Sequence, residues 1–140
     1  MNILEIIKKR NCGRVRASFS SHWNSSLNQL LLIFGLAPSP ESLIEVSKEK
    51  AMKIIETLLQ KDLAYSSKIM SKKQAEKYSN VLISALSTSK CKYYTNGEWH
   101  KYHSANNAFC FTGLTESTFD GGVLIVSKRH AFVFWVEDED

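Results

Sequence analysis

The stretch TFDGGVLIVSKRHAFVFWVEDED, residues 118–140, decides the fold. It holds two apolar runs, 123–126 and 131–136, joined by SKRH, and neither run alternates polar with apolar residues. Val, Ile, Phe and Trp dominate both, so both read as strands, and a strand without a polar face needs cover on both sides. They are therefore expected inside a sheet, with Asp120, Gly121 and Gly122 turning into the first of them. The second ends in four carboxylates, Glu137, Asp138, Glu139 and Asp140. Unpaired carboxylates in a low-dielectric interior cost far more than a small fold can supply. The expectation is a final strand over 131–136, with the carboxylates emerging at the sheet edge to face solvent or a basic partner.

Working back from this block, CKYYTNGEWHKYH (91–103) carries a hairpin signal. Asn96-Gly97 supplies the two positive-φ positions of a type I′ turn between aromatic flanks. Trp99 and Tyr102, near His100 and His103, read either as a contact surface or as a half-buried sheet face. NAFCF follows as a further extended segment, in which Cys110 behaves as a small hydrophobe.

Before Lys90 the period is mostly helical. Asn2 and Glu5 form a capping pair for a short helix stopped by NCG, and Ser71 with Gln74 forms a capping box for another. Ser47 opens a longer helix in which Ala51, Met52, Ile55, Leu58 and Leu59 recur at helical spacing. Asn24 is expected to cap a helix carrying Leu27, Leu30, Leu31 and Phe34, ended by Gly35 and PSP, and Ser39-Pro40-Glu41 starts a brief turn. RVRASFS alternates and reads as a strand with one wet face. The result is an α+β fold, residues 1–90 mainly helical and packed on a mainly antiparallel sheet from 91–140, in one domain spanning 1–140.

A chain of 140 residues with 44% hydrophobic and 23% charged residues has the composition of one globular domain rather than of a disordered segment. Its longest mainly apolar uncharged run, Leu27 to Pro40, is too short to span a bilayer. MNILEIIKKRNCGR places its positive charges after its apolar residues, the reverse of a secretory signal, so a cytoplasmic protein is expected. The three cysteines, Cys12, Cys91 and Cys110, then read as free thiols.

The net charge of +4 is unevenly spread. Residues 1–90 carry fourteen Lys or Arg against seven Asp or Glu, and residues 91–140 carry four against seven. The lysines from Lys48 to Lys77 are a candidate nucleic-acid footprint, but they leave a clean apolar stripe, as a solvated helix face does.

No stretch of the sequence combines residue type and spacing into a strong catalytic or metal signature. DGGV lacks both the spacing of a phosphate loop and a following helix start. Cys91, His100, His103 and Cys110 are residue types that suit zinc, at a spacing that matches none of the common fingers. SFSSHWNSS sets serines beside His22, but adjacency in sequence is not triad geometry. Asp120 with the C-terminal carboxylates is a poor acid pair for glycoside chemistry. No catalytic residue, cofactor or metal is therefore assigned, and a binding protein is expected rather than an enzyme.

The α-then-β layout and the block TFDGGVLIVSKRHAFVFWVEDED resemble the small single-domain bacterial immunity proteins of polymorphic and contact-dependent growth inhibition toxin systems. The resemblance implies a cytoplasmic inhibitor that binds the C-terminal domain of a cognate toxin without turnover. Many such toxins are nucleases with basic grooves, which an acidic edge of Glu137, Asp138, Glu139 and Asp140, with Asp120 nearby, would occupy as a phosphate mimic. Trp99 and Tyr102 would add aromatic contacts. The alternatives are a nucleic-acid-binding protein using the lysine-rich helices and a small hydrolase.

Overall fold

The computed structural model describes residues 2–87, 90–99 and 110–139. In chain order the elements are α1 (Ile3–Lys9), β1 (Arg14–Ser21), α2 (Leu27–Ile33), a 3-10 turn (Pro40–Ser42), β2 (Ile44–Val46), α3 (Lys48–Gln60), α4 (Lys72–Leu86), β3 (Lys92–Thr95), β4 (Gly97–Glu98), β5 (Cys110–Phe111), β6 (Phe119–Val126) and β7 (His130–Asp138). Local chemistry accounts for the helix starts. Asn2 accepts from the Glu5 amide, Ser47 from the Lys50 amide, and Ser71 with Gln74 closes a capping box.

The main sheet has five antiparallel strands in the order β1-β7-β6-β3-β2. The two apolar strands are interior, as their lack of a polar face requires. Even-numbered residues of β7 and odd-numbered residues of β6 meet α1, α3 and α4, where Phe132, Phe134, Val136, Val123 and Ile125 join Ile6, Ile55, Leu58 and Leu82. The opposite face sends Ala131, Val133, Trp135 and Leu124 against Leu30, Leu31, Phe34 and Leu36 of α2 and its exit, with Leu114. The fold is thus α+β in three layers, with helices dominating the N-terminal half and most of the sheet supplied by the C-terminal part.

Several boundaries differ from the sequence expectation. α2 is capped not by Asn24, which sits at φ 49°, but by Ser26 in a capping box with Gln29. β2 is a three-residue edge strand too short to show a period. The final strand runs from His130 to Asp138 rather than stopping at 136. The Asn96–Gly97 hairpin does not form. Neither residue has positive φ, Thr95 pairs with Ile44 and Val123, and Gly97–Glu98 pairs instead with Cys110–Phe111. Asn96 is buried, its amide donating to the carbonyls of Thr112 at 2.9 Å and Asp120 at 3.0 Å. Long-range pairing has overridden a local turn preference.

Candidate functional site

The C-terminal carboxylates are not the free acidic edge that their sequence suggests. β7 continues through two of them, and strand alternation sends Glu137 and Asp138 to opposite faces, where each meets an arginine. On the helical face Arg10 holds Asp138 bidentately, Nη1 to Oδ1 at 2.9 Å and Nη2 to Oδ2 at 2.7 Å. The Arg10 side chain is 0% exposed and that of Asp138 3%. Arg10 Nε also donates to the Leu58 carbonyl, and the Leu63 amide donates to Asp138 at 2.8 Å. Gly13 is at φ +63° where its missing Cβ would overlap Asp138 Oδ1, so only glycine leaves room for the pair.

On the other face Arg16 Nε donates to Glu137 at 2.8 Å, and the Ser117 hydroxyl donates at 3.1 Å. Asp120 is fully buried, and among the described residues no cation pairs with it. It accepts instead from the amides of Leu114 and Thr115, the Thr115 hydroxyl, the Trp135 indole and, at 3.4 Å, the Asn96 amide. The expectation that these carboxylates face outward is corrected for Glu137, Asp138 and Asp120, because hydrogen-bond donors of the fold meet their charges. Glu139 is exposed and grips the Thr118 amide and hydroxyl, while Asp140 lies outside the described residues.

Trp99 is also interior, 1% exposed, with its indole donating to Thr95 at 2.8 Å and its ring occupying the space a Cβ on Gly121 would need. Of the two readings of these aromatics, contact surface and half-buried sheet face, the first does not describe Trp99, which is buried still more fully than the second supposes. Tyr102, His100 and His103 lie outside the described residues, and among the described residues no three His, Cys, Asp or Glu come together as a metal site. His22 accepts the Ser25 backbone amide at 3.1 Å through Nδ1 rather than engaging a serine hydroxyl. Except for the partly buried Lys61, the lysines between Lys48 and Lys77 are exposed, and Lys53 pairs with Glu56 within α3.

A cleft of about 720 Å³ opens beside Glu137, lined by Arg14, Arg16, Ala37, Thr115, Ser117 and Glu139 among others. Its charges largely answer one another. Burial pushes the Glu137 carboxyl up, but the Arg16 bonds and charge, the Ser117 hydroxyl and the Arg14 charge outweigh that, so it titrates below its ordinary value. The unfolded chain then binds this proton at higher pH than the native one. Glu137 therefore contributes stability in full above the ordinary glutamate range and loses it as pH falls through the lowered native value. Glu137→Gln is expected to flatten the acid limb of a melting-temperature profile taken between about pH 3 and pH 7. An unaltered slope would mean that the Arg16 pair is thermodynamically silent.

What does face outward is a rim at the other end of β1. Phe19 is 60% and Trp23 59% exposed. Phe19 stacks on His130 at 5.2 Å, and Lys128 and Arg129 lie over the Trp23 ring at 4.7 and 5.1 Å. The rim continues into a sheet edge. The His22 amide donates to the Arg129 carbonyl at 2.8 Å, extending the β1–β7 register. Because antiparallel pairs alternate, Val15, Ala17, Phe19 and Ser21 turn their N–H and C=O groups away from β7. Among the described residues no strand takes them up. Sequence reasoning missed this surface, since SKRH and HW are unrelated until pairing sets residue 22 opposite 129. Comparisons with known protein families, with curated proteins and with solved structures find no match to this chain.

No helix among the described residues is long and apolar enough to cross a membrane.

Proposed function

We propose that this chain is a toxin-neutralising immunity protein of the bacterial cytoplasm, acting by binding a cognate toxin domain and not by catalysis. The contact surface is the open edge of β1 with the Phe19–Trp23–Lys128–Arg129–His130 rim. The observation that carries the binding reading is that rim. Exposed aromatics flanked by cations have the composition of interface anchors, and they adjoin backbone donors and acceptors available for strand addition. Docking through Glu137 and Asp138 is set aside, because withdrawing them would leave Arg16 and the buried Arg10 without their carboxylates.

The sign of the rim selects the partner face. A cationic rim is repelled by a phosphate-binding groove and drawn to an acidic surface, so the inhibitor holds the toxin from outside its substrate groove. The test is growth rescue of cells expressing the toxin domain encoded beside this chain. The wild-type chain is expected to restore growth and to co-purify with that domain. Trp23→Ala combined with Phe19→Ala is expected to weaken the complex at least about a hundredfold while leaving the melting temperature within a few degrees. Rescue undiminished by the double substitution would remove the rim from the mechanism, and failure of the wild-type chain to bind that domain would remove the immunity reading.

A further inference from the structure

The loop that follows β1 folds over the β6–β7 turn, the Asn24 amide donating to the Lys128 carbonyl at 3.1 Å. Beside it opens a cavity of about 250 Å³, lined by His22, Asn24, Ser25, Lys90, Lys92 and Lys128 among others. Three lysines thus line one small space, and no carboxylate is among its described lining residues. None of these lysines forms an ion pair among the described residues.

His22 adds an independent signal. Its Nδ1 accepts the Ser25 amide, which fixes the ring proton on Nε2. That Nε2 is buried and meets no acceptor among the described residues. A buried donor without a partner and a cluster of like charges are each unfavourable alone, and one ligand relieves both. It must be anionic, rich in acceptor oxygens and small.

We infer that this cavity is an anion site for a phosphate group, in which Lys90, Lys92 and Lys128 neutralise the charge and His22 Nε2–H donates to one oxygen. Lys128 reaches both the cavity and the exposed Trp23 ring, so a phosphate ester bearing a planar base has a stacking surface within reach of the site. The site does not depend on the toxin-binding reading.

The test is titration of the full chain with inorganic phosphate in chloride buffer, followed by amide nitrogen–proton correlation spectra. Saturable shifts are expected at Ser25, Lys92, Ser127 and Lys128, with a Kd in the millimolar range. Lys92→Gln with Lys128→Gln changes only exposed side chains and should weaken binding at least about tenfold, the loss expected for charge-assisted bonds. His22→Gln should weaken it several-fold. A parallel titration with adenosine monophosphate separates the sources of the phosphate. Tighter binding with quenching of Trp23 fluorescence identifies a nucleotide, and equal affinity identifies the phosphate group alone, both in keeping with the site. Shifts that fail to saturate, or a double variant that binds as well as the original, would overturn it. No toxin enters the measurement, so its failure is separable from failure of the rescue experiment.

Discussion

Asp138→Ala is expected to lower the unfolding free energy by about 3–5 kcal/mol, the scale seen when one partner of a buried ion pair is removed. Arg10 would keep its charge in a site where its side chain is 0% exposed, retaining among the described residues the Leu58 and Cys12 carbonyls and a weak contact to the Cys12 sulfur. The Leu63 amide would lose its acceptor as well. Urea denaturation at neutral pH measures the loss, and the control is the pair removed together. Arg10→Met with Asp138→Leu leaves no orphan charge and should recover most of the stability. If the single substitution costs less than about 1 kcal/mol, water or a rearranged carbonyl is serving the guanidinium and the ion pair is not a structural requirement.

Asp120→Ala should be comparably severe for a different reason. Among the described residues no opposite charge is involved. The carboxylate gathers the loop at Leu114 and Thr115, the Trp135 indole and Asn96, and its removal leaves several buried donors unmet at about 1–3 kcal/mol each. Relaxation of the exposed Thr112–Gly113 stretch will recover part of this, so a net loss of about 4 kcal/mol is expected, a large share of what a domain of this size possesses. Asp120→Asn keeps one acceptor oxygen and should lose about half as much. Thermal unfolding followed by tryptophan fluorescence distinguishes them, and the order alanine worse than asparagine worse than wild type is the required result. Equal melting temperatures would mean that solvent can satisfy the loop.

The interior placement of β6 and β7 was legible because an apolar run without alternation has only one economical position in a sheet. The caps at Asn2, Ser47 and Ser71 were legible because their chemistry lies within three residues. The fate of the carboxylates was not. Whether a charged residue lies inside depends on its partner, and Arg10 stands 128 residues from Asp138. The rule against burying charge was sound, but it applies to unpaired groups. The Asn96-Gly97 signal failed similarly, since Asn96 serves as a buried connector between β3, the Thr112 carbonyl and Asp120. The rim was hidden by the same distance problem. Phe19 alternates correctly in β1 and shares the helical face, but there it borders only the end of α4 at Ala85 and Leu86 and stays 60% exposed, so alternation alone assigned it to the interior.

β7 is the last of the described elements to be synthesised, and it sits between β1 and β6. While the ribosome is still making residues before 130, β1 has neither of its edges paired and Arg10 has no carboxylate to receive. At ordinary rates of translation that interval is on the order of ten seconds, long compared with the formation of α3 and α4. The helical half can therefore assemble early, while RVRASFS waits as an exposed extended segment in the nascent chain. Entry of β7 then completes both faces of the sheet and both arginine pairs in one event, so β1 joins the main sheet only after translation of this region.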